Sequence, residues 1–552
     1  MTLSVKHAGN RTVLLVLLLY FSAVTLAGGQ DTDYKYFYRI TFTDKGDYTT
    51  ADFSPSELLS PRAVERRVKA GISVPDFQDL PVFKSYLDQM VNMGLKLHCT
   101  SKWMNSALFK STSPADIAAL NDLPFVNDIK LVKSTGLKSQ HADKTEIMIT
   151  ATAATPYDLP ITMLNGSMLH NSGFNGNNII IAILDGGFVY ADIASSLNNL
   201  RDEGRIMNTR DFVNNTGDVY NASEHGTAVL SVLAGNIPGV IEGTAPSAGY
   251  LLLKTEDVVT EFPCEEDFWV AGAEFADSCG ADIISSSLGY FTFDDPSMNY
   301  KISNLDGKTA FITRAAEIAA SKGILVVNSA GNERNKTWKY IIFPSDGEDV
   351  LAAGAVDGNG MISSFSSAGP TSDGRIKPDN VALGVSVPLQ VSPSSVSYAS
   401  GTSFSCPILS GMSACLMQAV PEAKASDITD ALRKTADRSL TPDSLYGFGI
   451  PDMLKALSYL QDKYANIPDE GIITAPNPTT GNLRIIFSKP PSSFTLEIIS
   501  LSGKVVYKKD FSEFAGKVIS LDALQNREQG IYFVRVTTPG GIFTNKVIKL
   551  RY

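Results

Sequence analysis

Cysteine, histidine and tryptophan are scarce in this chain: its 552 residues hold five Cys, five His and three Trp. Cys99, Cys264, Cys279, Cys406 and Cys415 show no Cys-x-x-Cys spacing, which excludes a zinc-ribbon type of site and a dense disulfide framework. Two readings stay open for Cys264 and Cys279, a single bridge in an oxidising compartment or two buried free thiols. Positive charge is in deficit, 47 Lys and Arg against 58 Asp and Glu, so no nucleic-acid partner is expected, because phosphate binding wants clustered cations. His-Glu-x-x-His does not occur, which removes one class of zinc enzyme. No Asp-x-Asp-x-Asp-Gly loop stands out either; no metal is expected at the chemistry, and a structural calcium ion has no motif behind it.

Long apolar runs are also few. Residues 12–21 follow Lys6 and Arg11 and precede Ala23, Ala27, Gly28 and Gly29, the order of a secretory signal peptide over residues 1–29. A spanning helix would need about 20 apolar residues, so export is expected rather than anchoring. What is abundant is core material: hydrophobic residues make up 44% of the chain, and its length predicts two to four domains.

Gly401-Thr402-Ser403-Phe404-Ser405-Cys406-Pro407 opens a run of small and apolar residues that continues to Ala419. Apolar residues on nearly every side predict a helix buried all round, with Ser403 at its start and Pro407 near its first turn. A hydroxyl there faces the positive end of the helix dipole and free N–H groups, where a developing anion is stabilised. An ordinary N-cap serine is the plainer alternative. Upstream, residues 178–184 form a continuous apolar run, as a parallel strand covered on both faces requires, and end in Asp185-Gly186-Gly187. His225-Gly226-Thr227 opens an apolar helical stretch, which none of His7, His98, His141 and His170 does. Residues 323–332 read as a buried strand ending in a small-residue turn that presents the Asn332 amide.

In the order Asp185, His225, Asn332, Ser403, these segments resemble the subtilisin family of serine proteases. That order separates the chain from chymotrypsin-like and α/β-hydrolase arrangements, and Ser403 lacks a Gly-x-Ser-x-Gly setting. The resemblance covers about residues 150–460 and implies a parallel-sheet α/β catalytic domain over residues 157–462. It implies a serine endopeptidase working through an acyl-enzyme, with Ser403 as nucleophile, His225 as base and Asp185 orienting the imidazole. Asn332 and the Ser403 N–H would hold the oxyanion. Ser287-Leu288-Gly289 resembles the extended segment that pairs with substrate backbone, and Gly331 would leave room for a substrate side chain. No cofactor is expected for catalysis. Two departures stand out: Gly186 follows the Asp where many members carry Thr or Ser, and Phe404 and Cys406 replace the usual Met and Ala. A rival of another class is a catalytically inactive surface protein that keeps the fold as a binding module; the intact Asp, His, Asn and Ser speak against it.

Strand candidates at 179–184, 250–253, 283–286, 324–328 and 350–355 alternate with helix candidates at 225–234, 268–278, 310–321, 403–419 and 426–435. Such alternation predicts a parallel sheet with helices on both faces and active residues at strand carboxyl ends. Residues 34–140 read as β-α-β-β-α-β, with strands at 36–42, 95–100, 107–110 and 125–132 and helices at 82–93 and 115–120. Standing before a subtilisin-like domain, this α+β ferredoxin-like unit resembles the family's propeptide, which implies a zymogen inhibited by its own propeptide and processed in the linker 141–156. Residues 470–552 turn to short alternating runs at 483–487, 495–499, 504–508, 531–536 and 543–550, separated by Ser502-Gly503 and Pro539-Gly540-Gly541. They predict an antiparallel β-sandwich. Pro476-Asn477-Pro478-Thr479-Thr480-Gly481-Asn482 and residues 530–536 resemble the C-terminal sorting domain of the Bacteroidetes type IX secretion system. That implies the secretion machinery and protein or peptide substrates as partners, and a secreted or cell-surface protein exported across inner and outer membranes.

Overall fold

The structure is a computed structural model that describes residues 34–135, 147–149, 155–464, 471–487, 491–512 and 518–550. The expected signal peptide and most of the expected processing linker lie outside the described residues.

The first unit holds β1 (Tyr36–Phe42), α1 (Pro61–Ala70), α2 (Lys84–Asn92), β2 (Lys96–Ser101), β3 (Ser106–Ser111) and β4 (Val126–Ser134). Its sheet runs β2-β3-β1-β4, with β1 antiparallel to both neighbours, as a split βαβ unit requires. The second expected helix is a 3-10 helix, Pro114–Asp122. Helix α1 was not expected. Ser60 caps it by accepting from the Ala63 N–H at 3.2 Å, Pro61 starts it, and Gly71 closes it in the left-handed region at φ 79°.

After a short strand, β5 (Met148–Ile149), the central domain builds a seven-stranded parallel sheet. In chain order its strands are β6 (Ile180–Asp185), β7 (Ile206–Asp211), β8 (Gly249–Lys254), β9 (Ile283–Ser286), β10 (Leu325–Ser329), β11 (Leu351–Val356) and β12 (Asn380–Leu383). They lie in the order β12-β11-β10-β9-β6-β8-β7. Strand β6 is continuously apolar because both its faces are covered. Ile181 and Ile183 enter the core under α3 (His225–Ala234), while Ile180, Ala182 and Leu184 enter the opposite core under α4 (Cys264–Cys279) and α5 (Phe311–Ser321). The chain runs from β6 to the β7 edge, returns through β8 and then crosses to β9, so the strand order reverses beside β6 and Asp185 ends the strand at that switch. Crevices outside strand carboxyl ends at such reversals are where open α/β sheets bind ligands.

A hairpin of β13 (Val387–Ser392) and β14 (Ser395–Ser400) leads into α6 (Thr402–Ala419), and α7 (Ala425–Thr435) and α8 (Met453–Lys463) complete the domain. β5 pairs antiparallel to β14, Met148 opposite Ser400 and Ile149 opposite Ala399. Cys264 and Cys279 sit at opposite ends of α4, about 22 Å apart at 1.5 Å rise per residue, so the bridge left open by the sequence is excluded and both are free thiols.

The last unit has two antiparallel sheets over one core, of three strands (Ile472–Ala475, Leu483–Phe487, Val518–Leu521) and four (Phe494–Ser500, Val505–Phe511, Gly530–Thr538, Gly541–Lys549). Among the described residues no helix is long and apolar enough to cross a membrane.

Candidate active site

Asp185 closes β6, and His225 is the first residue of α3. Two glycines, Gly187 and Gly226, bring those ends together. A Cβ on Gly226 would meet the Gly187 carbonyl oxygen at 2.3 Å, and one on Gly187, at φ 151°, would meet the Asn221 oxygen at 2.1 Å. With no side chain in the way, the Gly226 N–H donates to Gly187 O at 3.1 Å. The imidazole Nδ1 then lies 2.9 Å from Asp185 Oδ1 and 3.0 Å from Oδ2, with both residues buried. The Gly186 N–H donates to Asp185 Oδ1 at 2.7 Å, so a backbone donor orients the carboxylate although Gly186 brings no hydroxyl.

Ser403 lies in the first turn of α6, half-buried between the buried Thr402 and Phe404. The His225 and Phe404 ring centroids are 6.0 Å apart, which ties the imidazole to the start of α6. Pro407 has no N–H to give to the Ser403 carbonyl four residues back, so that oxygen loses its helical donor. The Ser287 hydroxyl supplies one instead, at 2.8 Å. This contact fastens the strand-end segment Ser287-Leu288-Gly289, which follows β9, to the start of α6.

Asn332 faces the same point. Its Oδ1 accepts from the Thr402 N–H at 2.9 Å and from Thr402 Oγ1 at 3.0 Å. A backbone N–H can only donate, so the amide oxygen must be the atom held and the NH₂ group is turned the other way. A Cβ on Gly401 would stand 3.6 Å from Asn332 Nδ2 and 3.7 Å from the Ser403 nitrogen, so the two nitrogens lie near one point. Thr402 was not singled out from the sequence: nothing in a Gly-Thr-Ser triplet says that a distant amide is its partner.

Gly289 and Gly331 share one neighbour. Ile342 Cδ1 lies where a Cβ on Gly289 would meet it at 2.2 Å, and Ile342 is 3.0 Å from a Cβ on Gly331, whose φ is +104°. The room expected beside Gly331 is therefore partly filled by Ile342, a residue without a sequence signal. Cys406 is fully buried against the carbonyls of Ser286 and Val327, each 3.5 Å from its sulfur, and burial pushes its thiol up to about 12. It is a packing thiol. Among the described residues, Glu256, Glu261 and Glu265 are the one group whose ligand atoms are close enough to share a cation, within 4.8 Å of one another. The Tyr290 hydroxyl donates to Glu256 at 2.8 Å.

A paired carboxylate and imidazole, a serine at a helix start and two nitrogens near one point, all at the carboxyl edge of a parallel sheet, are the parts a serine hydrolase uses. Comparison with known proteins narrows the class. The Subtilase family profile matches residues 176–449, a Peptidase S8 propeptide domain of Bacteroidota matches 37–146, and a secretion system C-terminal sorting domain matches 475–550. Subtilisin DY of Bacillus licheniformis is 30% identical over 300 residues, 53% of this chain and 96% of that protein. Subtilisin E of Bacillus subtilis is 28% identical over 353 residues, 63% of this chain and 80% of that protein. The crystal structure of the epidermin leader peptide processing serine protease of Staphylococcus aureus superposes with a TM-score of 0.52 at 18% identity, over 77% of this chain and 99% of that one. The chain belongs to the subtilase family. It is a subtilisin-like serine endopeptidase, made as a zymogen and exported with a type IX secretion sorting domain. Subtilases need no cofactor for catalysis.

Proposed function

We propose that Ser403 is the nucleophile of this endopeptidase, His225 its general base, Asp185 the group that orients the imidazole, and Asn332 with the Ser403 N–H its oxyanion donors. The observation that carries the reading is the pairing of His225 Nδ1 with both Asp185 oxygens at 2.9 and 3.0 Å, which fixes the proton on Nδ1 and leaves Nε2 as the base. As Ser403 Oγ attacks the scissile carbonyl, Nε2 takes its proton, and the imidazolium is stabilised by Asp185. The tetrahedral oxyanion accepts from Asn332 Nδ2 and the Ser403 N–H. Collapse expels the amine, which leaves with the proton from Nε2, and water then hydrolyses the acyl-enzyme by the same path.

Ser287-Leu288-Gly289 is the edge along which substrate backbone is laid, with Gly331 and Gly289 flanking the space for one substrate side chain. The propeptide, residues 34–140, inhibits the enzyme until it leaves, and the sorting domain engages the secretion machinery. Labelling with a fluorophosphonate probe tests the assignment: the processed wild type is expected to take one equivalent and Ser403→Ala none. Equal labelling of the two ends it.

A further inference from the structure

A stripe of carboxylates starts at the rim of the cleft and runs along α4. Lys254 ends β8 opposite Asp185, and the Thr255 N–H donates to the Asp185 carbonyl at 3.0 Å, so Asp257, two residues on, stands beside the strand end that carries Asp185. Glu266 and Asp267 follow in the first turn of α4, Asp277 in its last turn and Asp282 just before β9. Asp267 and Asp277 are ten residues apart, about 15 Å along a helix.

Each of these groups holds a Lys or Arg side chain of the propeptide. Lys133 donates to Asp257 Oδ2 and to Thr260 Oγ1, both at 2.7 Å. Arg39 lays its guanidinium on Asp267 at 2.6 and 2.8 Å and reaches Glu266 at 3.3 Å. Arg66 and Arg67 share Asp277, Arg67 at 2.5 Å, and Arg62 pairs with Asp282. Among the described residues, no ion pair of these five carboxylates is made with a cation of the catalytic domain. Lys322, just past α5, has the opposite sign and pairs with Asp76 of the propeptide. An enzyme freed of its propeptide therefore turns five unpaired carboxylates to water, and charges of one sign beside a cleft concentrate ligands of the other.

We propose that this stripe, from Asp257 to Asp282, is a binding site of the active enzyme for a Lys- and Arg-rich segment of a protein substrate, upstream of the bond that is cut. The propeptide supplies both the chemistry and the direction. Its cations precede the linker, and the linker leads to Met148, which pairs with Ser400 in the strand that enters α6. A flexible spacer of about twelve residues reaches about 19 Å on average, longer than the stretch from Asp267 to Asp277. A basic block at that spacing binds as a tethered second contact and raises the occupancy of the cleft. The site deepens the endopeptidase reading and rests on the propeptide leaving the active enzyme.

Three fluorogenic peptides with one cleavable core test it, on enzyme processed from the full chain and shown by size exclusion to be free of propeptide. One carries a block of about six Lys and Arg upstream, through a flexible spacer of about twelve residues. The second has serines in place of the block, and the third has the basic block downstream. At low salt the upstream basic peptide is expected to show a kcat/KM at least tenfold above the serine peptide, and the ratio to approach one in about 0.5 M NaCl. The downstream block should give less than a third of that gain, and Asp267→Asn with Asp277→Asn should lower the ratio at least threefold. A wild-type ratio near one, or a ratio the double variant keeps, overturns the site. So does an equal gain from the downstream block, because the field of a net acidic chain would act on either end alike. If the double variant does not mature, the wild-type comparisons decide alone. Fluorescence anisotropy on Ser403→Ala, freed of propeptide through an exogenous protease site, separates the two readings. A variant that prefers the upstream basic peptide and still cuts it overturns the assignment of Ser403 and leaves the stripe standing. An active enzyme that keeps its propeptide on this face overturns the inhibitor reading and the site with it.

Discussion

The Thr402 N–H donates to Asn332 Oδ1 at 2.9 Å, and its hydroxyl approaches the same oxygen at 3.0 Å. Two contacts from the residue before the proposed nucleophile thus decide which way an amide 70 positions upstream is turned.

Asn332→Ala should lower kcat about 10² to 10³-fold with little change in KM, the size of effect such a loss has in a subtilisin. Thr402→Val keeps the backbone donor and removes a hydroxyl that donates to Asn332 Oδ1 and accepts from the Gly331 N–H at 3.1 Å, so a loss of two neutral hydrogen bonds, about 2 kcal/mol or roughly thirtyfold in kcat, is expected. Steady-state kinetics on one peptide substrate separate the two. A Thr402→Val enzyme as damaged as Asn332→Ala contradicts the division of labour.

Ile342→Ala should widen the space between Gly289 and Gly331. The ratio of kcat/KM for a large aromatic residue over alanine before the scissile bond is expected to rise about tenfold or more, since each apolar group accommodated is worth about 1–3 kcal/mol. Paired peptide anilides differing only at that residue measure it; an unchanged ratio removes Ile342 from the pocket wall.

Burial raises the Asp346 carboxyl from 3.8 to about 6, although Thr313 donates to it at 2.6 Å and the Gly307 N–H at 2.8 Å. The folded protein therefore holds this proton more tightly than the unfolded chain. Its contribution to stability is greatest below the ordinary carboxylate range, is lost as pH rises from about 4 to about 6, and is constant above that, a span of about 3 kcal/mol. Urea titrations of wild type and Asp346→Asn at several pH values across that window should diverge with this sign. Parallel pH profiles refute it.

Met148 and Ile149 pair antiparallel with Ser400 and Ala399 of the strand that leads into Ser403, so Met148 stands closer in register to Ser403 than Ile149 does. The maturation cut is expected on the amino side of Met148. Mass spectrometry of the mature enzyme should find an amino terminus at or before Met148; one beginning at or after Thr150 contradicts the register.

How much of this was legible in the sequence differs by element. Strand β6 read directly because two covered faces force a continuous apolar run, and Asp185, His225, Asn332 and Ser403 read from their order and their positions at element ends. The edge strands β7 and β12 did not: Met207, Asn208, Thr209 and Arg210 are partly or fully exposed and polar enough to mask the period, and Asn380–Leu383 is only four residues long. Helix α1 escaped although Ser60, Pro61 and Gly71 mark both its ends, because much of its buried face is arginine, and a search for apolar periodicity does not see a face that buries charge. Thr402 and Ile342 act through neighbours far away in the chain, which no local pattern encodes.

Peptide-bond hydrolysis by this chain is expected to depend on the hydroxyl of Ser403. With an exogenous protease site in the linker, wild type and Ser403→Ala can both be freed of propeptide, phosphonylated, digested and mapped by mass spectrometry. The expected result is one adduct on the Ser403 peptide of the wild type, none in the variant, and no casein hydrolysis by the variant. An adduct on another serine, or casein hydrolysis undiminished in Ser403→Ala, would contradict it.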